Sequence, residues 1–199
     1  PHLESKIEFK KKFKNKVILI SLANNLEYFY DLYKIKSNLI KFTIPKFLID
    51  FIIKDRTFTW IFRFHPSQSF NKNMFHKSWQ FKFIDEIFQS KKNVFYDYKF
   101  SKTNLKTCLL LADYHIADSS AALMTSESLN IKSGCWNMFL SNDKNRVEQF
   151  NVPKKSIISV SNKKKLEYFL EKKNKKKINL RSTKFDYKKF ISKLNIDTK

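Results

Sequence analysis

One glycine in 199 residues is the sharpest absence in this chain. A Gly-rich phosphate loop needs several glycines so that the backbone can wrap an anion, so nucleotide binding by that device is excluded. Cysteine is nearly as scarce. Cys108 and Cys135 make neither a disulfide framework nor a zinc set, and we read them as reduced thiols of a cytosolic protein. His, Cys and carboxylates nowhere fall at metal-ligand spacing, so no metal or other cofactor is expected. No run approaches the ~20 apolar residues that span a bilayer. The start is charged, and the run from Val17 to Ala23 is too short for a signal peptide and lacks a cleavage site. The chain opens on Pro1, which fits a piece cut from a longer protein.

Acidic residues are also few, 18 against 40 Lys and Arg, for a net charge of +22. Such a surface attracts polyanions and anionic lipid. The same charge also follows from a background bias: Lys, Asn, Ile and Phe crowd the chain in the manner of proteins from AT-rich genomes. The Phe-rich strands lack an RNA-binding signature, so no specific nucleic-acid partner is expected. Hydrophobic residues make up 42% of the chain, which supports a packed core in one domain of ordinary size.

Strand and helix patterns alternate. VILISLA (17–23) suits a buried parallel strand, and LEYFYDLYKIK (26–36) has helical spacing. Pro45 opens a helix with Phe47, Leu48, Phe51 and Ile52 inward. TFTWIFRF (57–64) is β-rich, HPSQSFNKN reads as a loop, and WQFKFIDEIFQS (79–90) as a helix. VFYDY (94–98) reads as a strand. Ser101 or Thr103 caps a helix through LKTCLLLA, where Cys108 is a core residue. YHIAD (114–118) is a strand and Ser120 to Asn130 a helix. Strands are expected at Trp136–Leu140 and SIISVS (156–161), and helices at 163–173 and about 186–194. The pattern predicts an α/β fold with a Rossmann-like parallel sheet flanked by helices. Residues 1–14 form a lead-in, 15–174 the nucleotide-fold domain, and 175–199 a basic hinge and final helix.

Two segments concentrate the chemistry. The strand ending at Phe64 delivers Arg63, His65, Pro66 and Ser67 to the carboxyl edge of the sheet, where open α/β folds bind ligands. Pro66 cannot continue the ladder and so fixes the direction of His65. His65 there can donate to a phosphate oxygen or protonate a leaving phosphate. Arg63 is a second phosphate contact or a surface charge. The second segment runs from YHIAD into Ser119 and Ser120, which suit a helix cap whose unpaired N–H groups attract a phosphate. Glu127 then lies roughly 10 Å further along the helix, a span that suits a nucleotide with its ribose at the carboxylate. The plainer reading is an ordinary serine cap with a surface Glu. Asp118 would hold the serine turn. His115, mid-strand among apolar neighbours, reads as a core residue. His76 and Trp79, in the long loop, could reach a base.

This order of parts resembles the C-terminal, donor-nucleotide half of GT-B glycosyltransferases: a strand ending in His-Pro, a strand ending in Ser-Ser, then Glu down the helix. The likeness is greatest to bacterial sialyltransferases and polysialyltransferases, with capsule polysaccharide and CDP-glycerol transferases similar in layout. It covers about residues 15–170. The resemblance implies a metal-independent, inverting transfer from a CMP-activated sugar such as sialic acid to a bacterial surface glycan acceptor. His65 and Pro66 would face the donor phosphate, Ser119 and Ser120 would bind it, and Glu127 would face the ribose. It also implies an N-terminal acceptor domain, carrying the general base, that this chain does not contain, and a place at the inner face of the cytoplasmic membrane. Asn24-Asn25 and Asn130 stand where the fold class commonly has Gly-rich loops. Two other readings share the pattern: a non-catalytic basic module that binds a polyanion, and half of a UDP-sugar epimerase.

Overall fold

The computed structural model describes residues 13–22, 44–117, 122–136 and 157–171. Within them lies a sheet of six strands: β1 (Lys16–Ser21), β2 (Phe58–Arg63), β3 (Val94–Phe95), β4 (Tyr114–Ala117), β5 (Lys132–Cys135) and β6 (Ile157–Ser159). Their spatial order is 3-2-1-4-5-6, and every neighbouring pair is parallel. The fold is α/β and Rossmann-like, as the alternation of patterns predicts.

The central strands read as nearly continuous apolar runs because both faces of the sheet are covered. Side chains alternate between the two faces. Ile18, Ile20, Trp60, Phe62 and Tyr114 join one core with Leu48, Ile52, Ile84 and Phe88. Those partners come from helix α1 (Lys46–Lys54) and helix α3 (Trp79–Phe88). Between them lies the short helix α2 (Lys72–Lys77), which adds Phe75. Val17, Leu19 and Ile61 point the other way, into a smaller core with Phe100, Cys108 and Leu109. Helix α4 (Tyr98–Lys102) and helix α5 (Leu105–Leu111) carry these last three. Cys108 is buried and free, as expected of a core thiol. Helix α6 (Ala122–Ser128) joins β4 to β5, and helix α7 (Lys163–Glu171) follows β6.

Half-buried carboxylates set where the strands begin. Asp55 accepts hydrogen bonds from the Phe58 N–H at 3.0 Å and from the Trp60 indole N–H at 2.8 Å, which fixes the start of β2. Asp113 accepts from the Val17 N–H at 2.9 Å and so ties the start of β4 to β1. On β5, Gly134 lets the chain cross close beneath its neighbours. A Cβ there would sit 2.6 Å from Val160 Cγ2 and 3.5 Å from the Phe169 ring.

Several local expectations change. The strand at 94–98 stops at Phe95, because Asp97 caps α4 through the Lys99 N–H. The loop after His65 holds a 3-10 turn, Pro66–Ser69, and then α2, capped by Asn71 accepting from the Met74 N–H at 2.8 Å. His76 therefore sits in α2 and Trp79 opens α3, so neither is a loop residue. Helix α5 is capped by Asn104, not by Ser101 or Thr103. An unexpected strand runs at Lys132–Cys135; Trp136 follows it outside any strand, and the rest of the strand expected at Trp136–Leu140 lies outside the described residues. The helices expected at 26–36 and 186–194, the hinge at 175 and nearly all of the lead-in lie outside them too.

Candidate functional site at the carboxyl edge of the sheet

In a sheet of this order the connections leave in opposite directions after β1 and β4, and a crevice opens between them at the carboxyl edge. Three strand ends meet there at one level, since Ser21 is paired with Arg63 on one side and with Ala117 on the other. The Leu22 N–H donates to the Arg63 carbonyl at 2.9 Å and carries the ladder one residue further. His65 stands two residues beyond β2. The ends of β2 and β4 are thus about 10 Å apart, two strand spacings, with β1 between them. Ser119 and Ser120 follow β4 by two and three residues but lie outside the described residues, as does Asp118.

The His-Pro turn is built locally. Phe64 is fully buried and its N–H donates to Ser101 Oγ at 3.1 Å, which ends the ladder of β2 against α4. Pro66 then begins the 3-10 turn, and His65 becomes its cap. His65 Nδ1 accepts from the Ser67 N–H at 3.3 Å and lies 2.9 Å from Ser67 Oγ. With Nδ1 as acceptor, the neutral ring carries its proton on Nε2. Partial burial, and next the charge of Arg63, push the His65 pKa below its ordinary value. Near neutral pH the ring is therefore a hydrogen-bond donor through Nε2 rather than a store of an acidic proton. Pro66 and Ser67 are exposed beside it.

Strand alternation does not carry on from Arg63 to His65, because β2 ends at Arg63 and His65 caps the 3-10 turn. Instead of lying on the surface, Arg63 is buried at 9% exposure, with Nη2 donating to the Thr103 carbonyl at 3.3 Å and Nε without a partner. On the same face, His115 is fully buried, and its Nε2 lies 3.0 Å from Ser21 Oγ. It is the core histidine that its apolar neighbours predict, but its Nδ1 has no partner. Burial first, and then the Arg63 charge, hold its pKa down at about 3. Burial pushes the Cys108 thiol up, against the opposing pull of Arg63.

Glu127 is half-buried in the last turn of α6, where its carbonyl accepts from the Asn130 N–H at 2.8 Å. It lies about 7.5 Å along the axis from Ala122 at 1.5 Å per residue. Asn130 takes a positive φ of 54°, the left-handed cap that ends such a helix. His76 is packed edge-on against Phe81 at 4.7 Å, which holds its ring on α3.

Ser21 and Gln68 were not marked by sequence patterns, and Ser101 was marked only as a helix cap. Ser21 reads as the polar end of an apolar strand, and only pairing with β4 brings it to His115. Gln68 is buried at 5% exposure with both ends of its amide unpartnered among the described residues. No cluster of three or more His, Cys, Asp or Glu that could hold a metal occurs among the described residues. No described helix is long and apolar enough to cross a membrane. No protein-family model matches this chain, and no curated protein or solved structure is significantly similar to it.

Proposed function

We propose that this chain is the donor-nucleotide part of an inverting glycosyltransferase, taking sialic acid or a similar sugar from a CMP-activated donor to a bacterial surface glycan. The observation that carries the reading is the strand order. It sets the His-Pro turn after β2 and the end of β4 on one carboxyl edge, about 10 Å apart across β1. A nucleotide phosphate seated between those ends would be within reach of side chains from both. An acceptor hydroxyl would attack the anomeric carbon while the bond from that carbon to the phosphate oxygen breaks. CMP would leave with the bonding electrons. His65, donating through Nε2, would stabilise the charge gathering on the phosphate, an electrostatic role that needs no change in its own protonation. Ser67, Ser119 and Ser120 would add donors to the same phosphate, and Glu127 would meet the ribose. The acceptor's proton would pass to a base on an N-terminal domain outside this chain. The charge of +22 would hold the enzyme against anionic lipid at the inner membrane face, where lipid-linked acceptors sit.

A thermal-shift panel of CMP, CDP, UDP and GDP tests the reading. CMP should raise the midpoint, by mass action on the folded state. His65→Ala should remove most of that rise while leaving the ligand-free midpoint nearly unchanged. If no nucleotide stabilises the chain, the reading fails. Stabilisation by UDP alone would favour the epimerase-like alternative.

A further inference from the structure

Arg63 presents a charge that no described carboxylate matches. Its side chain is 9% exposed, yet no carboxylate among the described residues pairs with it. Its Nη2 makes a long hydrogen bond, 3.3 Å, to the Thr103 carbonyl, the Cys108 thiol lies within its reach, and Nε has no partner among the described residues. Arginine does not lose its proton inside proteins, so burial cannot neutralise it as it would a lysine. An isolated buried charge is strongly unfavourable unless an opposite charge meets it.

The surroundings fit such a counter-charge. Ser21 is the register partner of Arg63 on the adjacent strand and faces the same side of the sheet. Its hydroxyl lies 3.0 Å from His115 Nε2 on the strand beyond. His115 is fully buried with Nδ1 unpartnered, and the charge of Arg63 helps to keep its ring neutral. Three adjacent strands therefore offer one fixed cation and two neutral polar groups, at the edge where the crevice opens. A guanidinium fork with hydroxyl and imidazole N–H groups beside it matches the oxygens of an oxyanion.

We propose that Arg63, Ser21 and His115 form a buried subsite for one oxyanion of a ligand, either a phosphate or a carboxylate. The need for an anion stands on a buried charge that no described carboxylate meets. Only the ligand's identity, a nucleotide-linked acidic sugar, rests on the donor-site reading.

Calorimetry on the full chain, with inorganic phosphate and with acetate in separate titrations, tests this and separates the two sources. The expected result is saturable binding of one equivalent of one anion, weakened about tenfold or more in Arg63→Met, the loss of one charge-assisted contact. Lys54→Met, which removes an exposed charge near the start of β2, should leave it intact. Without anion, Arg63→Met should unfold no earlier than the parent, because it removes a buried charge that no described carboxylate meets. Arg63→Lys keeps the charge but loses the fork, and should also bind more weakly. The proposal is overturned if neither anion binds saturably, if Lys54→Met weakens binding as much, or if Arg63→Lys leaves affinity unchanged. CMP and uncharged cytidine separate this proposal from the donor reading. Phosphate binding without CMP binding sinks the donor reading and keeps the subsite. CMP binding that ignores Arg63→Met does the reverse.

Discussion

Burial acts on the two histidines to different ends. His65 is only partly covered, accepts the Ser67 N–H at Nδ1, and stays neutral near pH 7 because its pKa lies below the ordinary value, which is what a phosphate hydrogen-bond donor needs. His115 is fully buried on β4 between β1 and β5, and its pKa near 3 makes it a stability group. In the unfolded chain it titrates near 6.5, so its contribution to stability is complete above that pH. It is lost progressively as pH falls from 6.5 towards 3, where the unfolded state binds a proton that the folded state refuses. Across that window the loss is on the order of several kcal/mol. Urea unfolding at a series of pH values should show this slope in the parent and a flatter one in His115→Leu. An unchanged slope would contradict the assignment. His115 was legible in the sequence because apolar residues flank it on a strand. The burial of Arg63 was not, because the Thr103 segment that covers it comes from 40 residues away and no local pattern reports it.

Elements follow the sequence where periodicity is strong and depart from it where a side chain works against its type. β1 and β2 are long apolar runs and fall where expected. β5, Lys-Ser-Gly-Cys, has almost no strand propensity. It forms because the Lys132 ammonium lies over the Tyr114 and Phe169 rings at 5.3 and 4.9 Å, and because Gly134 admits Val160 and Phe169 at close range. Gly134→Ala should therefore destabilise the fold by about 1–3 kcal/mol, the usual cost of overpacking. Val160→Ala in the same chain should recover part of that loss. A double-mutant cycle by chemical denaturation measures it, and strict additivity would show that Val160 is not the obstacle. The short helices α2 and α4 were missed for a related reason. Each spans six residues or fewer, so the Asn71 and Asp97 caps, rather than hydrophobic spacing, define them.

At the scale of the molecule, the α/β class was readable from alternation, while the order 3-2-1-4-5-6 was not, because pairing between β1 and β4 joins segments almost a hundred residues apart. That order gives the His-Pro turn its meaning, for it sets the turn beside the crevice instead of at an outer strand. The serine pair remains a sequence inference, since it lies outside the described residues. Net charge bears on binding at this same scale. A net charge of +22 attracts polyanions, and binding by counterion release fades steeply with salt, whereas contacts inside a crevice are screened far less.

Titration of the full chain with CMP at about 0.15 M and again at about 0.5 M salt therefore tests the central claim most directly, since the Debye length shrinks severalfold towards 1 M. The account predicts a saturable single site that survives the higher salt and is lost in His65→Ala. Absence of CMP binding at either salt, or binding shared by any nucleic acid and abolished at the higher salt, would contradict it.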